Sequence, residues 1–173
     1  MIEKKNLDLL FAELDELLSK QSMRYHLIIY GGAALIANNI LDRVTVDIDV
    51  FEPQLDKHIL AAIKEIAKRH MFDDLWINST GNAFKNELPK NWKTRLLQVF
   101  KGTRLTISTL GRIDLIFTKF LAELDRQEDL EDLKSLNPTV AEIKEIRTPL
   151  LELENDKQWK EKVIELLNMF ESK

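Results

Sequence analysis

Tyr30–Val50, YGGAALIANNILDRVTVDIDV, carries the densest information in the chain. The apolar run before it, Tyr25–Tyr30 (YHLIIY), reads as a buried strand that stops at the Gly31-Gly32 turn. Ala33 to Ile40 then suits a short helix. From Arg43 to Val50 the residues alternate, which predicts a strand with Val44, Val46, Ile48 and Val50 on a dry face. Thr45, Asp47 and Asp49 fall on the other face. Gly31 and Gly32 can take backbone angles closed to other residues and let a phosphate approach the main chain. A helix opening at Ala33 would aim free N–H groups at that phosphate. Asp47 and Asp49 are two apart on a strand, so their carboxylates point the same way, with Cα atoms ~7 Å apart. Two such charges repel, and a hard cation relieves them. One or two Mg²⁺ ions held there could bridge a nucleotide's phosphates and stabilise an in-line displacement.

On either side of this stretch the pattern is helical or mixed. Apolar positions 7, 10, 11, 14, 17 and 18 predict an amphipathic helix from Leu7 to Leu18, and positions 55, 59, 60, 63, 66 and 67 predict another after Pro53. Short strands are expected around Leu75–Asn78, Arg95–Phe100 and Arg104–Ser108, with a long loop holding Gly81, Asn82, Phe84, Pro89, Asn91 and Trp92. Leu115 to about Leu133 returns to helix, Pro138 starts a further one, and Lys157 to Phe170 forms the last. The order predicts a mixed α/β (α+β) domain with extra C-terminal helices.

Composition narrows the function classes. With 173 residues, 45% hydrophobic and 31% charged, the chain can bury a real core. A net charge of −4 argues against gripping long stretches of duplex DNA through phosphates. The absence of cysteine excludes thiolate zinc, disulfides and cysteine catalysis. His26, His58 and His70 lack metal-ligand spacing, and no Ser-His-Asp arrangement can be assembled. Trp76, Phe84 and Trp92 could stack a base, although such residues more often belong to a core. Acids interrupt the apolar part of MIEKKNLDLLFAELDELL, and no apolar run approaches the ~20 residues of a membrane span. The expectation is a cytoplasmic protein with no membrane association.

Strand, Gly-Gly, helix, then Arg-x-Thr-x-Asp-x-Asp resembles the nucleotidyltransferase superfamily of DNA polymerase β type, where a Gly-Gly or Gly-Ser turn precedes a strand bearing Asp-x-Asp. Asp-x-Asp alone is common on exposed strand faces; the ordered set is far more specific. The resemblance implies a mixed sheet flanked by helices. Asp47 and Asp49 would be catalytic carboxylates holding Mg²⁺ or Mn²⁺, with Gly31, Gly32, Arg43 and Thr45 binding a nucleoside triphosphate (NTP).

Downstream, Trp76-Ile-Asn78, Phe84, Leu88-Pro89 and KFLAELDRQEDLEDL resemble a bacterial family of nucleotidyltransferase-fold proteins related to the AbiE-type abortive-infection toxins. The likeness spans roughly residues 25 to 135, which implies a nucleotidyltransferase-like domain over 1–135 and a helical extension over 136–173 packed on it. It implies that Lys119 contacts the nucleotide phosphates and that Asp129 is a catalytic acid or supports one. The same helix reads equally as a charged surface face with Arg126 and Asp129 as an i,i+3 pair.

One departure stands out. Ser79 occupies a position where the similar family usually has Asp. Asp114 could replace that carboxylate if RIDLIF is a strand; the helical alternative, which the pattern favours, makes it a first-turn acid. Two functions follow. One is transfer of a nucleotidyl group from an NTP to an acceptor (RNA, protein or small molecule). The other is a catalytically weak nucleotide-binding or partner-binding protein, such as one half of a toxin–antitoxin pair with a cognate protein partner.

Overall fold

In the computed structural model, which describes residues 1–20, 23–79 and 87–171, the run Tyr25–Tyr30 is strand β1. Leu27, Ile28 and Ile29 are all buried, so both faces of β1 are dry and its run is continuous rather than alternating. Its neighbours are β2 (Ile48–Glu52), antiparallel, and β5 (Leu105–Thr109), parallel. A two-residue β3 (Ile77–Asn78) runs parallel to β2, and β4 (Leu97–Lys101) runs antiparallel to β5. Among the described residues these five strands form one mixed sheet in the order β3-β2-β1-β5-β4. The expected α/β class is therefore found.

The chain divides into two compact units, Met1–Ala83 with Leu96–Leu110, and Phe84–Arg95 with Gly111–Lys173. The first unit holds the sheet and three helices: α1 (Lys4–Ser19), α2 (Gly31–Ala37) and α3 (Lys57–His70). The apolar stripe of α1 (Leu7, Leu10, Phe11, Leu14, Leu17, Leu18) and that of α3 (Ile59, Ala62, Ile63, Ile66, Ala67) are buried as their spacing predicts. Asp56 caps α3 by accepting from the His58 and Ile59 N–H groups at 2.8 and 3.1 Å. Asp15 of α1 accepts from the N–H groups of Thr103, Arg104 and Leu105 at 3.0, 2.6 and 2.7 Å, tying the β4–β5 turn to the helix.

The second unit is helical, with α4 (Arg112–Arg126), α5 (Leu130–Leu136), α6 (Val140–Glu152) and α7 (Lys157–Glu171). Phe120 of α4 meets Phe170 of α7 edge-on at 5.5 Å. Thr139 and Glu142 form a reciprocal capping box on α6, and Arg112 binds both Glu142 Oε1 (2.6 Å) and the Leu136 carbonyl (2.7 Å). Among the described residues no helix is long and apolar enough to cross a membrane.

Three elements differ from expectation. The strand predicted from Val44 starts only at Ile48, and Val44 and Val46 are 40% and 71% exposed instead of dry. The antiparallel partner sets this limit: β1 ends at Tyr30, opposite Asp49, so residues before Ile48 have no strand to pair with there. Thr45 pairs instead with Ile2, exchanging N–H···O bonds of 2.7 and 2.9 Å. Helix α2 begins at Gly31 rather than Ala33 and stops at Ala37. The helix expected over Leu115–Leu133 is broken, because Gln127 takes a left-handed φ of 59° that ends α4 and turns the chain into α5.

Candidate functional site

Strand β1 ends at a backbone reversal. Gly31 has φ of 66°, a left-handed angle that turns the chain from the strand into α2. Because Tyr30 pairs with Asp49, the Asp49 carboxylate lies against the Gly31 Cα. A Cβ built on Gly31 would stand 2.9 Å from Asp49 Oδ2, closer than side-chain atoms tolerate. A Cβ on Gly32 would stand 3.4 Å from both an Arg43 guanidinium nitrogen and Thr45 Oγ1. The Thr45 hydroxyl in turn lies 3.2 Å from the Asp47 carbonyl oxygen and 3.4 Å from Asp47 Oδ1. Six residues expected to share a site, Gly31, Gly32, Arg43, Thr45, Asp47 and Asp49, thus gather at one turn of the first unit. Asp47 and Asp49 are both half-buried.

Asn78 joins this group, a residue to which its sequence assigned no role. β3 places Asn78 opposite Asp49, and its side-chain amide donates to Asp49 Oδ1 at 3.3 Å. Ser79, the departure noted above, is half-buried beside it in the chain.

The other two expected residues lie in the second unit, where they are brought to each other. Lys119, Asp129 and Asp132 are 8%, 6% and 5% exposed. The Lys119 ammonium is bonded to Asp129 Oδ1 and lies 2.6 Å from Asp132 Oδ2. Arg126 reaches Asp129 Oδ2 at 3.0 Å, and the Asp129 N–H donates to Glu123 Oε2 at 2.7 Å. Arg126 and Asp129 therefore do form the i,i+3 pair, but Asp129 sits beyond the end of α4, and its carboxylate is buried. Asp114 is in the first turn of α4, as the helical alternative required, and is fully buried against Arg95, which donates to its two oxygens at 2.9 and 2.6 Å. This pairing, by hydrogen bond first and then by charge, raises the Arg95 guanidinium above its ordinary pKa.

Of the aromatic residues, Trp76 is 1% exposed and donates its indole N–H to the Ile63 carbonyl at 3.0 Å, which makes it a core residue. Trp92 is buried as well, with Lys93 Nζ 5.1 Å from its ring centroid. Phe84, Gly81 and Asn82 lie outside the described residues. Among the described residues no group of three or more His, Cys, Asp or Glu side chains could hold a metal ion. His26 is instead paired with Ser108 Oγ at 2.8 Å, and His70 with Glu13 at 2.7 Å.

Two carboxylates on a mixed sheet are thus drawn to a Gly-Gly turn between strand and helix. A family model described as "Nucleotidyltransferase of unknown function (DUF6036)" matches residues 5–169, and the chain belongs to that family. No curated protein and no solved structure matches the chain at a significant level.

Proposed function

We propose that the protein is a metal-dependent nucleotidyltransferase of the cytoplasm that moves a nucleotidyl group from an NTP to an acceptor hydroxyl. The observation that carries this is the convergence of Asp47 and Asp49 on Gly31-Gly32, through Thr45 for one carboxylate and by direct approach for the other. Asp47, Asp49 and Thr45 offer only oxygen atoms, the set that hard cations such as Mg²⁺ and Mn²⁺ prefer, with the Arg43 guanidinium beside them. The missing Cβ at Gly31 lets the Asp49 carboxylate sit against the turn, where a Cβ would come within 2.9 Å of Oδ2. These features fit a divalent cation held by Asp47 and Asp49, whose chemistry when bound is to neutralise triphosphate charge. Gly31 and Gly32 let phosphate oxygens approach the main chain, and Arg43 and Thr45 add a cation and a hydroxyl at the same turn. In the transfer, the acceptor hydroxyl gives up its proton to solvent and its oxygen forms a bond to the α-phosphorus as the bond to the β-phosphate breaks and pyrophosphate leaves. Lys119 as a phosphate contact, and Asp129 as a catalytic acid or the support of one, remain part of this proposal, carried by family likeness.

A second function is supported by Ser79, which stands where the similar family usually has Asp, and by the AbiE-like pattern around Lys119. It is a protein that binds nucleotide or a cognate partner without turnover, as in one half of a toxin–antitoxin pair. One experiment separates the two. Purified protein is incubated with each labelled NTP, Mg²⁺ or Mn²⁺, and total cell RNA, protein and small molecules as acceptors. Label should move to an acceptor with the wild type, and Asp49→Ala should lower the rate by at least ~10²-fold. No labelling with any NTP, alongside a melting temperature raised by NTP and Mn²⁺, selects the binder.

A further inference from the structure

We propose that Asn78 is a positioning residue for Asp49 and that its neutrality sets the site's capacity at one divalent cation; this rests on the metal-dependent reading above. The register places Asn78 directly opposite Asp49 across the β2–β3 pair. Its amide N–H donates to Oδ1 at 3.3 Å, while Oδ2 sits where a Gly31 Cβ would come within 2.9 Å. One oxygen is therefore held from the strand side and the other faces the glycine turn. A metal-binding carboxylate gains affinity when a neighbouring donor fixes its orientation in advance.

The identity of the neighbour matters as much as its position. An amide donates a hydrogen bond and adds no charge. Asp47 and Asp49 together supply two negative charges and Arg43, at the same turn, one positive charge, so one divalent cation already meets all the negative charge available. A second cation would leave an excess positive charge in a half-buried site. A carboxylate at position 78 would accept rather than donate, would add a third negative charge and would place it against Asp49. Cation sites tune affinity through the number of charged ligands, and sites for two metals need enough charge to hold both ~3.5–4 Å apart. Asn78 thus lies where the capacity of the site is decided.

The test is Mn²⁺ binding followed by the electron paramagnetic resonance signal of the free ion, which needs neither an NTP nor an acceptor. Wild type is expected to bind one Mn²⁺ per chain at the site. Asn78→Ala should also bind one, at least about threefold more weakly, with its metal-free melting temperature nearly unchanged. Asn78→Asp, nearly isosteric and so expected to fold, should bind a second Mn²⁺ or hold the first about tenfold more tightly. Two ions in the wild type, or binding curves for both variants that superimpose on the wild type, would overturn the inference while leaving a metal site in place. Absence of binding by the wild type, or equal binding by Asp47→Asn, would overturn the metal-dependent reading and this inference with it.

Discussion

An alanine at position 31 meets two obstacles. Its backbone must hold φ at 66°, and its Cβ must share space with an oxygen 2.9 Å away on Asp49. Strain of the first kind alone costs ~1–3 kcal/mol. Gly31→Ala should therefore lower the unfolding free energy by about that much, and it should also shrink the rise in melting temperature that Mn²⁺ and NTP give, since Asp49 must move. Gly32→Ala faces contacts of 3.4 Å and should be milder on both measures. Equal effects from the two substitutions, read by thermal denaturation with and without ligand, would show that the close approach of Gly31 to Asp49 is unimportant. This part of the site was legible because its chemistry is local: glycines, a threonine and two aspartates in one stretch of chain. Asn78 was not, since its role depends on how the short strand expected around Leu75–Asn78 registers against β2, and register cannot be read from one strand's own residues.

At the scale of elements, the alternation from Arg43 to Val50 correctly indicated a strand but not where it begins. Alternation reports which faces could be dry; the extent of a strand is set by the length of its partner, and β1 stops opposite Asp49. The helical pattern over Leu115–Leu133 failed for a related reason. In an unbroken helix Asp129 would lie ten residues beyond Lys119, ~15 Å along the axis. The turn at Gln127 brings the two side chains into contact. What reads as one charged face is thus two helices closed on a buried lysine. Removing that lysine leaves two buried carboxylates with a partner lost, a change that typically costs ~3–5 kcal/mol. Lys119→Ala should destabilise the protein by about that amount in urea denaturation. Adding Asp132→Asn should recover part of the loss, because one of the uncompensated charges is then gone. If Lys119→Ala unfolds at the wild-type midpoint, the ion cluster contributes nothing to stability. Any fall in nucleotidyl transfer in that variant could then be assigned to the phosphates.

For the whole molecule, the titrating carboxyl groups predict how stability responds to acid. Burial alone would raise the Asp15 carboxyl, but the N–H groups of Arg104, Thr103 and Leu105 outweigh it and hold the group below its ordinary range. Burial of Glu13 is likewise outweighed by His70 and Arg69, and burial of Glu142 by Arg112 and Thr139. A carboxyl whose pKa is lower in the folded than in the unfolded chain contributes stability in full above the unfolded value. That contribution is lost as pH falls through the folded one. The unfolding free energy should therefore decline once pH drops below about 4, and Asp15 and Glu13 in the first unit and Glu142 in the second should all contribute. Glu87 in the second unit has the opposite sign. Burial, and then the charge of Glu154, raises its pKa. Its favourable contribution is present below the unfolded value and disappears as pH rises through the folded one, so at neutral pH the Glu87 charge is held at a cost. Glu87→Gln should consequently stabilise the protein at pH 7 and have little effect near pH 4, where glutamate is largely protonated in both states. Denaturation curves at the two pH values measure the difference directly; a gain of equal size at both would mean that packing, rather than the cost of burying the Glu87 charge near Glu154, accounts for it.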